Sequence, residues 1–294
     1  MDYRESFFNY LKFEKRNSSH TVVAYKIDLD QFVQFCIEVV GEFNVKKVDA
    51  KIIRSWIVEL MENDLSARSV NRKITTIKSF FKYLLKEQIV DHNPTTYLTL
   101  PKIRKKLPNF VEERNLNHLL DDGYFKNDFE GIRDKLIITL FYATGIRLAE
   151  LLQLKDSDFD MTNCMIRVLG KGKKERIIPY PTSINQLVMQ YINERNSKFG
   201  NKTEHLLVTD KGNPAYEKLI YRVVKTNLAK VTLLEKKSPH VLRHTYATHL
   251  LNNGADLNAV KELLGHANLA ATQIYTHTTF QKLHNIYKQA HPRG

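Results

Sequence analysis

The chain has 294 residues, 43% of them hydrophobic and 26% charged, a composition typical of a globular protein long enough for two domains. A net charge of +13 is unusual and favours a polyanionic partner, most simply a nucleic acid. No apolar run approaches the roughly 18 residues that a membrane span needs, and the N-terminal residues lack an apolar signal core, so we expect neither a membrane nor a secreted protein.

The first part of the chain, residues 1–97, is predicted to be a domain made of helices. Ser18 or Ser19 can cap a helix of about residues 21–39, and Asp49 can cap one of about residues 51–63. A further helix is predicted over residues 67–87. Its apolar positions recur with the helical period of 3.6 residues and are Val70, Ile74, Ile77, Phe81 and Leu84.

The opposite face of that helix is basic. Its residues are Arg68, Arg72, Thr75, Lys78, Lys82 and Lys86, and no acidic residue occurs between positions 65 and 86. A solvated surface is the alternative interpretation of such a stripe. The lack of interleaved glutamates favours a face that binds the DNA backbone.

Residues 98–110 are predicted to be a basic linker between two domains. Asn93–Pro94 ends the helical run, and two prolines bound a segment with four basic residues, Lys102, Arg104, Lys105 and Lys106. These side chains can also lie along a phosphate backbone. Residues 1–100 hold 15 Lys and Arg against 13 Asp and Glu, and the rest of the chain holds 30 against 19. The second part must therefore supply most of the long-range attraction.

Residues 111–294 are predicted to be a second, mostly α domain. Helices are predicted over residues 112–120 and 131–142, followed by the sequence TGIRLAE. Arg147 in that sequence is a charge at the edge of a buried helix and needs a partner, which Glu150 can provide. A purely structural ion pair between the two is the alternative to a role in a site.

A small antiparallel hairpin is predicted from strands at residues 164–169 and 176–180. Its turn, GKGKKE, contains Lys171 and is not a nucleotide-binding loop, because no Ser or Thr follows a Gly-Lys pair and no helix follows the turn. The turn suits a minor groove or a scissile phosphate, and a solvated turn is the alternative. Helices are predicted over residues 183–199 and 219–228.

The stretch from residue 238 to 279 contains arginine, histidine and tyrosine side chains that can act together in a reaction on a phosphodiester. His240 and Arg243 are three residues apart and share a helix face. Asp256 can cap a helix of residues 257–264 that ends at Gly265, and His266 follows. Arg and His can hold a phosphodiester and stabilise its transition-state charge, while Tyr275 can act as a nucleophile. Together they indicate a site that breaks a nucleic-acid backbone. A zinc site is not predicted, because no pair of ligands has the necessary spacing.

This ordered set resembles the tyrosine recombinases, the family of phage integrases and the Xer chromosome-resolution enzymes, and is most similar to the Xer type. The likeness covers the whole chain. The matching positions are Gly145, Arg147 and Glu150, the hairpin lysine Lys171, His240 and Arg243, His266, and the nucleophile Tyr275. The first domain resembles the helical, SAM-like core-binding domain of the family in YKIDL and SVNR. Ala149 stands where Xer members often have Ser, a minor departure.

The resemblance implies a mainly α recombinase fold and strand exchange through a covalent 3′-phosphotyrosine at Tyr275. In that mechanism Arg147 and Arg243 bind the phosphate with His266, His240 helps to accept the tyrosine proton, and Lys171 protonates the leaving oxygen. No cofactor, ATP or metal is implied. The implied partner is double-stranded DNA with a specific recombination site, bound by a homotetramer or by a heterotetramer with a paralogous recombinase.

Three points stay open from the sequence. The first is the biological role. It is either chromosome dimer resolution, which serves chromosome partition and cell division, or the integration and excision of a mobile element. A type IB topoisomerase and a DNA-binding protein without the chemistry are the rival functions. A helix predicted over residues 280–290 packs in its own domain or on a neighbouring protomer. The cysteines, Cys36 and Cys164, are expected to be buried free thiols in a reducing compartment, which indicates the cytoplasm.

Overall fold

The structure is a computed structural model, and it describes residues 3–103, 109–121, 123–170, 175–200, 203–265 and 286–293. Backbone contacts divide the chain into two compact units, Met1–Lys106 and Leu107–Gly294. This division falls within the segment that the sequence analysis assigns to a linker.

The described residues of the first unit form helices joined by short turns. The elements are α1 (Tyr3–Asn9), a π-helical turn (Tyr10–Glu14), α2 (Ser19–Val40), α3 (Ala50–Glu62) and α4 (Ala67–Lys86). The Ser18 hydroxyl accepts a hydrogen bond from the backbone N–H of Thr21, and the Asp49 carboxylate accepts from those of Lys51 and Ile52. These caps satisfy N–H groups that have no partner within the helix, so α2 and α3 begin within two residues of their predicted starts.

The core of the first unit lies where α4 packs against α2 and α3. The predicted apolar stripe of α4 is confirmed, since each of its residues is fully buried: Val70, Ile74, Ile77, Phe81 and Leu84. Trp56 of α3 packs on Phe32 of α2, with 5.0 Å between ring centroids. Burial of this stripe supplies the main driving force for holding the three helices together.

The second unit is mostly helical, with a small sheet. Its elements are α5 (Glu113–Leu120), α6 (Phe129–Thr144), α7 (Leu148–Gln153), a 3₁₀ turn (Asp156–Asp158), β1 (Phe159–Asp160), β2 (Met165–Leu169), β3 (Glu175–Pro179), α8 (Ser183–Phe199), α9 (Glu217–Ala229), α10 (Pro239–Asn252) and α11 (Leu257–Leu264). Residues 286–290 are helical as well. The predicted fold class, mainly α with a small antiparallel sheet, is confirmed.

The sheet is antiparallel, in the order β1-β2-β3. Strands β2 and β3 form the predicted hairpin, in which Val168 pairs with Arg176 and Ile166 with Ile178. The sequence analysis did not predict β1, which has only two residues and pairs Phe159 with Ile166. A strand this short carries no alternating pattern from which it could be recognised.

Helix α6 is the centre of the second unit and contacts α8, α9 and α10. It is buried nearly all round, as expected of a helix without a polar face. It ends at Gly145, whose φ of +58° lies in the left-handed region. A Cβ atom at this position would lie 2.4 Å from the ring of Tyr246, so both the backbone conformation and the packing require glycine.

The C-terminal residues 286–293 pack within the second unit of the same chain. Tyr287 is 1% exposed, and its ring stacks on His291 with 4.8 Å between centroids. The side-chain amide of Asn253, the C-cap of α10, donates to the Ala290 carbonyl at 3.0 Å. Arg293 donates to the side chain and carbonyl of Asn117 on α5. The described part of the tail therefore adopts the first of the two predicted alternatives, packing in its own domain.

Both cysteines are free thiols, and they differ in burial. Cys36 lies in the core of the first unit, and burial raises the pKa of its thiol to about 12. The prediction was wrong for Cys164, which is only half-buried because it occupies the turn between β1 and β2, with a φ of +53°. None of the helices in the described part of the chain is long and apolar enough to cross a membrane.

Candidate active site

The first element of the site is the corner between α6 and α7. Arg147 occupies the N-cap position of α7, and its backbone N–H donates to the Glu150 carboxylate at 2.8 Å. The Nη1 of Arg147 donates to the same carboxylate at 2.8 Å. The predicted pairing of Arg147 with Glu150 is therefore confirmed. The Arg147 side chain remains 38% exposed, so it can still reach a ligand.

Arg176, at the start of β3, is the second partner of Glu150. Its Nη1 and Nη2 donate to the two carboxylate oxygens at 2.7 and 2.8 Å, a bidentate pair between side chains that are 5% and 4% exposed. Burial raises the pKa of Glu150, but the hydrogen bonds and charges of Arg176 and Arg147 outweigh this effect and lower it to about 2. Glu150 is thus ionised throughout the physiological pH range.

Arg243 reaches the same corner from α10. Its Nη1 donates to the Gly145 carbonyl, and its Nη2 donates to the Leu264 carbonyl at 2.6 Å. Burial, together with the positive charges of Arg147 and Arg176, lowers the pKa of Arg243 to about 10. The guanidinium group remains charged at neutral pH, and it does so without a carboxylate hydrogen-bonded to it among the described residues.

The C-terminus of α11 brings the two predicted arginines together. Arg147 Nη2 donates to the Gly265 carbonyl at 2.9 Å, next to the Leu264 carbonyl that Arg243 binds. Asp256 caps the start of α11 and Gly265 ends it with a φ of +63°, both as predicted. Leu264 and Gly265, at the end of α11, therefore each accept a hydrogen bond from one of the two arginines.

His240 lies at the second position of α10 and is exposed. It shares the helix with Arg243, as predicted from their spacing. The Nδ1 of His249, on the same helix, is 3.0 Å from the Tyr142 hydroxyl, a structural contact. Lys171, His266 and Tyr275 lie outside the described residues, so their predicted positions in the site stay predictions.

The predicted basic face lies on α4 of the first unit. Arg68, Thr75 and Lys82 are exposed and Lys78 is half-buried. The Nζ of Lys86 lies 3.4 Å from the Oε2 of Glu14 and over the ring of Tyr10. Lys102 is exposed, and the three other predicted linker contacts, Arg104, Lys105 and Lys106, lie outside the described residues.

A buried carboxylate holds one residue of that face. Asp28 of α2 is fully buried and forms a bidentate pair with Arg72, whose side chain is half exposed. Asp28 also accepts from Lys73 Nζ at 3.1 Å and from the Thr76 hydroxyl at 3.0 Å. The acids missing from α4 itself are therefore supplied in part by another helix, and Arg72 is fixed in one orientation.

Two of these charged residues, Arg176 and Lys73, were not predicted from the sequence. Burial along β3 alternates in its first four residues, and Arg176 shares the inward face with Ile178. The alternation of the predicted strand places Arg176 on its inward face. A buried arginine requires a partner, so this position could have indicated a buried ion pair. Lys73 follows Arg72 and carried no comparable signal, since its partner lies 45 residues earlier in the chain.

Comparison with known proteins shows likeness over the full chain. Residues 109–282 match the phage integrase family, and residues 5–88 match the N-terminal SAM-like domain of phage integrases. The chain is 38% identical to the tyrosine recombinase XerC of Staphylococcus saprophyticus, over 99% of this chain and 97% of that protein. It is 34% identical to the XerC of Chlorobaculum tepidum, over 98% and 94% of the two chains.

Among solved structures, the XerH site-specific recombinase bound to palindromic difH substrate in a post-cleavage complex is similar with a TM-score of 0.71. Sequence identity is 25%, and the likeness covers 96% of this chain and 83% of that one.

Proposed function

The chain belongs to the phage integrase family and is a site-specific tyrosine recombinase, and on that premise we propose that Tyr275 is its nucleophile. The phenolic oxygen attacks the scissile phosphorus, and the bond from phosphorus to the 5′-oxygen breaks. The phosphate is then esterified to tyrosine and to the 3′ end of the cut strand. A liberated 5′-hydroxyl of another strand reverses the step and rejoins the DNA.

The convergence of Arg147 and Arg243 carries this proposal. The guanidinium groups of Arg147, at the N-cap of α7, and of Arg243, on α10, meet at the carbonyls of Leu264 and Gly265. Gly265 lies ten residues before Tyr275. Planar guanidinium groups match the non-bridging oxygens of a phosphodiester and stabilise the charge that these oxygens gain in the transition state.

Two proton transfers and one further hydrogen bond to the phosphate are assigned to three other side chains. His240, exposed at the start of α10, helps to accept the phenolic proton. Lys171 gives a proton to the departing 5′-oxygen, and His266 donates a hydrogen bond to the phosphate. One phosphate diester replaces another of similar energy, so the exchange consumes no nucleotide, and the arginines supply the positive charge.

The proposed substrate is double-stranded DNA with a specific recombination site. The net charge of +13 supports a polyanionic partner. The residues proposed to contact the DNA backbone are basic side chains of α4 and of the linker: Arg68, Arg72, Lys78, Lys82, Lys86, Lys102, Arg104, Lys105 and Lys106. Exchange between two duplexes requires four active sites, hence a homotetramer or a heterotetramer with a paralogous recombinase. The proposed setting is the cytoplasm, where the protein resolves chromosome dimers or moves a mobile element.

A plasmid assay tests this function. Footprinting on the host's own DNA identifies the site, and two copies are placed in one supercoiled plasmid. We expect the wild-type protein to exchange the strands between the two copies, and Tyr275→Phe to bind the site without exchange. Relaxation of plasmids that lack the site would favour the rival topoisomerase function, and binding without strand cleavage by the wild type would contradict the enzymatic proposal.

A further inference from the structure

Four charged side chains meet at the corner between α6 and α7, within the described part of the second unit. Three are the guanidinium groups of Arg147, Arg176 and Arg243, and one is the carboxylate of Glu150. Arg176, Arg243 and Glu150 are each at most 7% exposed, so water compensates little of their charge.

The hydrogen bonds show which arginine compensates the carboxylate. Arg176 binds Glu150 through both Nη atoms, one to each oxygen. Arg147 gives Glu150 only one of its Nη atoms and directs the other to the Gly265 carbonyl. Arg243 makes its hydrogen bonds to two carbonyl groups. The bidentate partner of Glu150 is therefore Arg176, and the four side chains together carry two net positive charges.

We propose that Arg176 is a positioning residue that neutralises Glu150 and thereby leaves the charges of Arg147 and Arg243 available to the scissile phosphate. The inference rests on the proposed function of those two arginines. Without Arg176, the carboxylate would compensate Arg147 instead, and the site would keep one net positive charge for an anionic ligand. Arg176 touches no reacting atom in this scheme.

Arg176 also fixes the segment that leads to His266. Its Nε donates to the Leu263 carbonyl at 3.2 Å. A Cβ atom at Gly265 would lie 3.0 Å from the Cδ of Arg176, so the two residues are in close contact. Arg176 therefore connects three separate segments, which are β3, the start of α7 and the end of α11.

The local field supports this assignment. Besides burial, the positive charges of Arg147 and Arg176 disfavour the protonated form of Arg243, and Glu150 is among the groups that favour it. Bringing several cationic side chains together in the protein interior costs free energy unless an anion compensates their charge. A phosphate placed between Arg147 and Arg243 supplies that anion.

Charge-balanced variants separate this role from packing. In Arg176→Met the net charge of the cluster falls by one, and in Arg176→Met with Glu150→Gln it returns to the wild-type value. On a nicked duplex that carries the footprinted site, at saturating concentration, we expect cleavage by Arg176→Met to slow by about 100-fold. The double variant should recover by about tenfold or more relative to the single one. A double variant no faster than Arg176→Met would overturn the proposal, because packing alone predicts no recovery.

Arg195→Met is the matched control. Arg195 is another buried arginine of the second unit, 2% exposed, and it forms a bidentate pair with Asp156. Its loss should lower the thermal midpoint and leave the cleavage rate of the folded protein unchanged. An equal loss of cleavage in Arg195→Met and Arg176→Met would assign the effect to general destabilisation.

Two further measurements test the proposal. If Arg176→Met does not fold, Arg176→Lys replaces the methionine variant. The lysine keeps the positive charge, so this variant should cleave within about tenfold of the wild-type rate. A lysine variant slower by about 100-fold or more overturns the proposal.

Inorganic sulfate probes the cluster without DNA. It should raise the thermal midpoint more in the wild type and in the double variant than in Arg176→Met. Absence of cleavage by the wild type would refute the proposed function, whereas a sulfate effect that is equal in all three proteins would refute the role of Arg176.

Discussion

Arg147 and Arg243 bind consecutive carbonyl groups at the end of α11. The Nη2 of Arg147 lies 2.9 Å from the Gly265 oxygen, and the Nη2 of Arg243 lies 2.6 Å from the Leu264 oxygen. The two arginines come from distant parts of the sequence, and the fold makes them neighbours. A site that holds one phosphate between two guanidinium groups requires this arrangement.

We predict that Arg243→Lys cleaves a nicked duplex carrying the footprinted site about 100- to 1000-fold more slowly than wild type. A lysine keeps the charge but cannot bind the carbonyls of Gly145 and Leu264 and a phosphate oxygen in one plane. The rate of covalent adduct formation at saturating DNA measures the effect. Arg114→Lys is the control, since Arg114 is exposed on α5 and should tolerate the change, whereas equal rates in Arg243→Lys and wild type would refute the role of Arg243.

We predict that Gly145→Ala destabilises the second unit by about 2–4 kcal/mol, from left-handed strain and from overpacking against Tyr246. Gly254→Ala separates the two causes. Gly254 also has a left-handed φ, of +86°, but an added Cβ would meet nothing within 4 Å, so only the strain of about 1–2 kcal/mol remains. Calorimetric unfolding measures both variants. Equal losses would show that contact with Tyr246 does not matter.

Much of the fold could be predicted because its signals are local. Ser18, Asp49 and Asp256 cap helices within three residues of themselves, and Gly265 ends one, so the boundaries followed from a few residues each. The apolar stripe of α4 has the helical period within one continuous segment. The order of Arg147, His240 and Arg243 along the chain predicts a phosphate site, and the structure brings the two arginines of that set together.

The partners of buried charges could not be predicted, because they come from distant segments. Asp28 and Lys73 are 45 residues apart, and Glu150 and Arg176 are 26 apart with a hairpin between them. No short-range pattern specifies such a pair. From the sequence, Glu150 is therefore expected to pair with Arg147 alone, and Arg72 is expected to be a free member of the basic face.

Asp28→Asn should lower the free energy of unfolding of the first unit by about 3–5 kcal/mol, because it leaves the buried ammonium of Lys73 without its carboxylate. Fluorescence during urea unfolding reports on this unit specifically, since Trp56 is the only tryptophan and lies in its core. Asp30→Asn on the same helix is the control, because Asp30 is about half exposed and its pair with Arg4 should be worth less than about 1 kcal/mol. Similar losses in the two variants would contradict the importance of burial.

Docking of the tail, residues 286–293, should weaken as the pH falls from about 6.5 toward about 4. His291 Nδ1 accepts from the Arg293 N–H and Nε2 therefore donates to the Tyr142 carbonyl, so the ring is neutral. Burial, with smaller effects of His249 and Arg293, lowers its pKa from 6.5 to about 4. Because the folded pKa is the lower one, the docked tail is fully stable above pH 6.5 and loses up to about 3 kcal/mol across this window.

Hydrogen exchange of residues 286–293, corrected for the intrinsic effect of pH, measures tail detachment. His291→Phe removes the titrating group and should make protection independent of pH between 7 and 5. Protection that falls equally in the variant and the wild type would show that another group controls the docking.

The central claim is that Tyr275 forms the covalent link to DNA, and peptide mass spectrometry of the trapped adduct tests it most directly. The wild-type protein is incubated with a nicked duplex carrying the footprinted site, and the adduct is digested with protease and nuclease. The account predicts a nucleotide linked through its 3′-phosphate to the peptide that contains Tyr275, and no adduct from Tyr275→Phe. A nucleotide on any other residue, or an adduct that persists in the Phe variant, would contradict it.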